Sequence, residues 1–506
     1  CNGGSAPSTL PSGWTANGTS PYRKISYRSA YNILPEPTRQ GYIFAGWWTQ
    51  ASGGNEVNKD TLMGAGDVTI YAHWVESWVK YMSDDNPVQD QTDGYYKIDS
   101  AEKLARLSYL VNYNIDNGKW TNYKYKQTAD IDLSAHYWQP IGLEIYPFCG
   151  TFDGTTFDIH NLKTYSDNYE YEAQINVGLF GYSDSSYINN VNVYDCNILA
   201  VENAGGILGY SLDSYITHCR VSGTIEIGSN SCAGGIVGYA ISDTVIKECE
   251  NMANVEGNTT SAGGILGVSS DYPRVINCVN YGEISADDRV GGIVGYAESG
   301  KIENCVNNGL INSGENAGGI VGAGYTFEVY NCANTGIVQG IVYVGGVLGY
   351  SEGTVTIKNC VSTGDLNNED ESVNGGAGGI VGYAEGTMTI TSSFADCSIY
   401  SDSADYVGAF IAEDYDGATI KYCGARIKIA TATSNLAPFI NSAGICNDSY
   451  SLINNGGTQV NRITATSSGM DGKFGMISSI HDGLPVPLGI YHVSQYGTTT
   501  GIASTL

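Results

Sequence analysis

Gly205-Gly206-Ile207-Leu208-Gly209-Tyr210 returns as Gly234-Gly235-Ile236-Val237-Gly238-Tyr239, and again at Gly263-Gly264, Gly291-Gly292, Gly318-Gly319, Gly345-Gly346 and Gly378-Gly379. Weaker copies flank the series at Gly178-Leu179-Phe180-Gly181-Tyr182 and Gly408-Ala409-Phe410. The equivalent glycines are 178, 206, 235, 264, 292, 319, 346, 379 and 408, separated by 28, 29, 29, 28, 27, 27, 33 and 29 residues. A period this regular marks a stacked repeat.

Each copy holds three β-prone bursts, for example Gly292-Ile293-Val294-Gly295-Tyr296, Lys301-Ile302-Glu303-Asn304-Cys305-Val306 and Gly309-Leu310-Ile311. The turns between them carry Asn, Gly, Asp and Ser, which tolerate positive φ. Three strands per coil of this length predict an all-β chain built on a parallel β-helix solenoid. Parallel crossovers wind right-handed by default, and nine coils at ~4.8 Å make a rod of about 40 Å.

Bulk composition agrees. The 506 residues include 66 Gly and 38 Tyr with 15% charged residues, which favours short strands and tight turns over helix. The net charge of -28 argues against nucleic acid and against anionic lipid as partners. No apolar run approaches the ~20 residues of a membrane helix, so no membrane insertion is expected. No signal peptide or sorting signal is visible, and the chain is expected to be an internal or trimmed fragment.

Four segments are expected. Residues 1–75 form a small unit with alternating Tyr42, Phe44 and Trp47-Trp48 and a closing strand Val68 to Trp74. These aromatics read as its core in preference to a sugar platform. Residues 76–165 are a linker and cap. Within them Leu104, Leu107, Leu110 and Val111 share one helical face after an Asp99 or Ser100 N-cap. That helix is expected to cover the raw end of the solenoid. Residues 166–440 are the repeats. Residues 441–506, with Phe474-Gly475-Met476 and Leu484-Pro485-Val486-Pro487, drop the repeat and close it as a C-terminal cap.

Two resemblances follow from these residues. Leu34-Pro35-Glu36-Pro37-Thr38-Arg39-Gln40-Gly41-Tyr42-Ile43-Phe44-Ala45-Gly46-Trp47-Trp48, Ser52-Gly53-Gly54 and Val68-Thr69-Ile70-Tyr71-Ala72-His73-Trp74 resemble the Listeria–Bacteroides repeat of internalin-type proteins. That resemblance implies a β-grasp-like spacer or adhesive module on bacterial surfaces. Asn2-Gly3-Gly4 matches its early turn, so Cys1 reads as an internal residue. The glycine phrase itself is identified as a GLUG motif. That group includes bacterial adhesins, and the motif also occurs in streptococcal metallopeptidases that degrade immunoglobulin A. The resemblance implies an extracellular place on the bacterial cell surface more firmly than it implies an activity.

Several constellations are candidates for chemistry. Cys219, Cys249, Cys278, Cys305, Cys332, Cys360 and Cys423 sit 13 to 15 residues after a repeat glycine, usually as Asn-Cys-x-Asn. Stacking puts them in a column. Inward free thiols of the structural core are favoured over a disulfide ladder or a metal column, because aligned rungs rarely meet disulfide torsions and zinc needs convergent ligands. Tyr182, Tyr210, Tyr239, Tyr296, Tyr350 and Tyr383 form a second column, broken at Val268 and Ala323. It reads as packing or as an outward aromatic stripe for glycan or protein, with packing ahead. Glu369, Asp370 and Glu371 lie in the loop inserted in the 33-residue interval, a candidate partner site. Asp84-Asp85 and Asp90/Asp93 raise calcium as an alternative to plain solvated loops. No metal or cofactor is otherwise expected.

Gly349-Tyr350-Ser351-Glu352-Gly353 fits G-x-S-x-G, but it is the repeat phrase, not a strand-to-helix elbow. None of the six histidines lies in H-E-x-x-H. The expectation is therefore a non-catalytic surface adhesin or display rod that binds host or matrix glycans or proteins. The alternatives are a β-helix polysaccharide lyase or glycoside hydrolase, and a non-catalytic module of a larger secreted protease.

Overall fold

The computed structural model describes residues 1–429 apart from 166–174, 229–230, 258–259, 369–374 and 402–405, and beyond 429 the backbone pairing of six short strands. One coil shows how the repeat is used. Arg289–Gly291 is followed by Val294–Glu303, then by Val306–Asn307 and Ile311–Ser313, and Asn316–Gly318 returns one rung above the start. Arg289 pairs with Asn316 and Gly291 with Gly318, in parallel. The glycine strands alone build a ten-stranded parallel sheet from Asn176–Val177 to Leu436–Ala437. Ten rungs at ~4.8 Å make a rod of about 43 Å. The expectation of an all-β parallel solenoid preceded by a small β domain is what the chain adopts.

The repeat isoleucines fill the middle. Ile207, Ile236, Ile265, Ile293, Ile320 and Ile380 are fully buried in one continuous core that runs the length of the rod. A lone coil has no way to bury them. Stacking is what removes them from water, so coil and rod form together.

Asn-Cys-x-Asn encodes a corner and two columns. Its first Asn takes the left-handed region, as at Asn277, Asn304, Asn331 and Asn359 (φ 55–56). Asn tolerates this conformation because its side chain bonds locally. Here those side chains bond along the rod: Asn304 donates to Asn277 at 3.0 Å, Asn331 to Asn304 at 2.9 Å and Asn359 to Asn331 at 3.0 Å. The Cys that follows points inward. Cys219, Cys278, Cys305, Cys332 and Cys360 are fully buried free thiols, and Cys249 is 1% exposed. Cys423 joins the same column and donates to Ile390 O at 3.7 Å. Each donates back to the carbonyl two residues earlier, as Cys305 does to Glu303 O at 3.3 Å. Burial, reinforced by the neighbouring thiols, holds Cys249, Cys305 and Cys360 well above the usual thiol range.

The last Asn of the phrase forms the second column. Asn251, Asn280, Asn307 and Asn334 are all fully buried. Asn251 Nδ2 donates to Asn280 Oδ1 (2.8 Å), Asn280 to Asn307 (2.8 Å) and Asn307 to Asn334 (2.9 Å). Each Nδ2 also reaches the carbonyl two residues on, for example Asn280 to Gly282 at 3.0 Å. At Asn251, Asn280 and Asn307 the amide of that residue bonds back, as Gly309 N does to Asn307 Oδ1 at 3.2 Å. Buried amides are thus satisfied, which is the condition for their being inside at all.

This column explains the repeat glycine. A Cβ on Gly292 would stand 2.3 Å from Asn307 Cγ and 2.2 Å from Gly319 O. Gly264 meets Asn280 in the same way, at 2.3 Å. Glycine and asparagine, some fifteen residues apart, are two halves of one contact.

The ends differ from the middle. Parallel pairing begins at Tyr96–Ile98 with Lys124–Gln127. The helix Ala101–Asn112 follows the first of these strands, with the Ser100 hydroxyl accepting from Lys103 N at 3.3 Å. Leu104, Leu107, Leu110 and Val111 are fully buried against the first coils. Asn112 clamps the entry chain, donating to Pro140 O and accepting from Gly142 N, both at 2.8 Å. At the other end Tyr450–Asn455 adds a parallel rung to Gly424–Ile429 and then pairs antiparallel with Thr458–Val460. Phe474–Met476 and Pro485–Pro487 pair antiparallel.

Residues 1–76 make a small β domain. Tyr42–Trp48 pairs antiparallel with Glu56–Val57 and with Tyr71–Glu76. A register shift between Phe44 and Trp47 lets both rings enter its core with Tyr31, Val57 and Ala72. Trp47 Nε1 donates to Pro35 O at 2.8 Å, and its ring lies 5.6 Å from Phe44.

Candidate functional site

Outward positions of the long strands carry the candidate site. In Leu208–Leu212 the burial alternates so that Leu208, Gly209 and Ser211 face in and Tyr210 faces out. The sequence favours packing for the tyrosine column, and the rings pack on one another at the surface. Tyr182 and Tyr210 stack at 4.6 Å and 11°, Tyr210 and Tyr239 at 5.0 Å and 3°. Tyr350 and Tyr383 stack at 5.0 Å and 10°, with Tyr343 against both. Val268 and Ala323 separate these runs, and Tyr296 stands alone under the Arg289 guanidinium at 4.6 Å.

The hydroxyl ends are held in an acidic field. Tyr350 donates to Glu352 Oε1 at 2.5 Å and Tyr383 to Glu385 Oε2 at 3.3 Å. Half-burial and the adjacent phenols push Tyr210 up to about 12, and burial raises Tyr239. These phenols are therefore neutral donors at physiological pH. The face offers flat rings with hydroxyl donors, the equipment for stacking on a sugar or another aromatic group.

A second aromatic row was not foreseen. Tyr187 and Tyr215, 54% and 40% exposed, stack at 5.0 Å and 8° on the same sheet. The signal in the sequence was Ser186-Tyr187-Ile188 and Ser214-Tyr215-Ile216, one repeat apart and in register.

Other candidates are dispersed. Glu369, Asp370 and Glu371 lie outside the described residues. Ser351 of the G-x-S-x-G match is fully buried in the strand Leu348–Ser351, so it is not an exposed nucleophile. Asp90 is bonded by Thr92 and flanked by Lys97 at 3.0 Å and Lys126 at 3.2 Å, and Lys126 also meets Asp93. Those bonds hold Asp90 well below the usual carboxylate range, and the lysines stand where calcium was raised. Among the described residues no group of three or more His, Cys, Asp or Glu is gathered for a metal. No described helix is long and apolar enough to cross a membrane.

Comparison with known proteins adds the following. Residues 13–73 match the Listeria-Bacteroides repeat domain family, and residues 288–312 match the GLUG motif. Both resemblances read from the residues are found. Among solved structures, one from Bacteroides ovatus, named a "putative immunoglobulin A1 protease", aligns at 18% identity and TM-score 0.33 over 69% of this chain and 86% of its own. Another, named IgA1 protease, aligns at 13% identity and TM-score 0.35 over 74% of this chain and 26% of its own. The chain thus spans about a quarter of that second protein. These names correct one expectation: the sequence reading of a chain that is not an enzyme is at odds with solved structures that carry the name of one, and it is withdrawn.

Proposed function

We propose that this chain is a rod-forming part of a larger secreted or surface-held bacterial protease, of the kind named for immunoglobulin A1, and that its tyrosine face meets the protein or glycan partner. The observation that carries the reading is the row Tyr182, Tyr210 and Tyr239, stacked and outward on a rigid sheet. Rings fixed in this way lose little conformational entropy on binding. The GLUG match and the protease names of the structural neighbours support a place in such a protein.

Immobilised immunoglobulin A1 tests it, with binding followed by surface plasmon resonance and cleavage by mass spectrometry. Saturable binding or cleavage is expected, and either is expected to fall in the triple variant Tyr182→Ser, Tyr210→Ser, Tyr239→Ser while its melting temperature stays within a few degrees. An unchanged response in that variant removes the tyrosine face from the proposal. Failure to bind or cleave immunoglobulin A1 overturns the protease reading. Saturable binding to a host glycan array would then favour the second reading, an adhesin or display rod. The surface-type repeat at residues 13–73 is the observation that favours it.

A further inference from the structure

Near the N-terminal end of the long sheet, two aromatic rows flank a strip of carboxylates. Tyr182, Tyr210 and Tyr239 run along one side, Tyr187 and Tyr215 along the other. Between the rows the chain carries half-buried Leu212 and Ile241, paired in register, and the exposed turn residues Asp213, Asp243 and Asp271. Asp184 takes the Leu212 position one rung below. Rungs lie ~4.8 Å apart, so four like charges follow one another along the rod. Asp213 Oδ1 accepts from Asp243 N at 3.1 Å and Asp271 Oδ2 from Ser242 Oγ at 3.4 Å, neutral donors that leave the charge in place. Among the described residues none of the four aspartates has an ion-pair partner. Higher on the same sheet, Glu303 already holds Arg274 at 3.1 Å and Lys301 at 2.9 Å.

Charge and shape together restrict the occupant. Tyr210 is stacked on both sides, at 4.6 and 5.0 Å, so it shows an edge and a hydroxyl and not the open face on which a sugar stacks. A long cationic side chain fits such a surface. Its methylene stem lies along ring edges and along Leu212 and Ile241, and its head reaches the carboxylates. The rod uses this pairing itself where a tyrosine has no stacked neighbour, with the Arg289 guanidinium 4.6 Å from the Tyr296 ring. A row of unpaired like charges repels itself, and a cationic partner relieves it. We propose that this face docks an arginine- or lysine-bearing protein segment, whose charged heads meet Asp184, Asp213, Asp243 and Asp271 between the two tyrosine rows. The inference rests on the reading of the tyrosine face as the partner surface, and it narrows that partner to a basic protein segment.

The whole chain is titrated into fluorescein-labelled peptides that alternate Ala with Arg or Ala with Gln, and anisotropy is followed. At about 0.15 M salt, screening beyond ~8 Å confines attraction to close contacts. Saturable binding of the Arg peptide, at least tenfold tighter than the Gln peptide, is expected. Asp213→Asn with Asp243→Asn keeps the acceptor for Asp243 N and is expected to weaken that binding at least fivefold. Glu256→Gln with Glu283→Gln removes the same charge from a groove on a different sheet, and less than a twofold change is expected. Equal weakening by the two pairs, or no preference for the Arg peptide, reduces the effect to attraction by a chain of charge -28 and overturns the proposal. Tyr187→Ser with Tyr215→Ser is expected to weaken binding at least threefold, and no change overturns the role of the second row. Immunoglobulin A1 binding that survives the aspartate pair, yet falls in the Tyr182, Tyr210 and Tyr239 variant, overturns the basic segment and leaves the reading above standing. Aspartate-dependent binding of the Arg peptide by a chain that ignores immunoglobulin A1 upholds the face and overturns the protease reading.

Discussion

The asparagine column and the tyrosine column run along the same rod in the same register, one inside and one outside, and they differ in how they bear interruption. Outside, Val268, Ala323 and Glu413 take the tyrosine position, yet the strands pair on either side without a shift. Inside, Asn251 to Asn334 is unbroken, and where the asparagine stops at Ser362 the hydroxyl is buried without a partner. Water replaces a missing partner at the surface, but nothing does so within the core. An internal amide row is therefore an all-or-nothing device, whereas an external ring row is free to vary with the partner.

The sharpest way to break the comparison is Gly292→Ala. The new Cβ meets backbone on one side and the asparagine row on the other, and neither has room to give. A loss of cooperative unfolding, or more than ~4 kcal/mol in urea titration, is expected. A mild effect would mean that the row tolerates displacement. Asn307→Leu comes next. It leaves Asn280 Nδ2 and Gly309 N without their acceptor and Asn334 Oδ1 without its donor. Asn280 Nδ2 keeps its bond to Gly282 O, so two groups are orphaned, and at ~1–3 kcal/mol each about 2–6 kcal/mol of destabilisation is expected.

The thiol column extends the test to chemistry. In iodoacetamide labelling of the native chain read by mass spectrometry, partly exposed Cys1 and Cys149 are expected to react, and the buried Cys219 to Cys360 only after unfolding. Native labelling at Cys305 would show that the core opens locally. On the outer row the effect shrinks. Tyr210→Ala is expected to cost about 1–3 kcal/mol, the worth of its two stacked pairs beyond their area. A loss as large as that of Asn307→Leu would erase the distinction.

The smallest effect is pH-dependent. Burial holds Tyr210 up at about 12, above the ordinary phenol value of 10.0. Its contribution is whole below pH 10 and is lost as pH rises toward 12, because the unfolded chain ionises first. Absorbance at 295 nm and thermal melts across that window should move together, by less than either core substitution moves stability.

The amino-acid order determined the stack by itself. Glycines spaced near 28 residues, an inward isoleucine after each and a cysteine at fixed phase leave no other way to bury the apolar positions, and the helix at Ala101–Asn112 was written in its leucines and its Ser100 cap. Only the tertiary structure decided what depends on neighbours across coils. It turned the tyrosines outward and set Tyr187 over Tyr215. It made the second Asn of Asn-Cys-x-Asn the reason for the glycine. Periodicity along one strand fixes that side chains alternate. Which set faces in, and which atoms meet, is fixed by rungs that lie nearly thirty residues apart in the chain and ~4.8 Å apart in space.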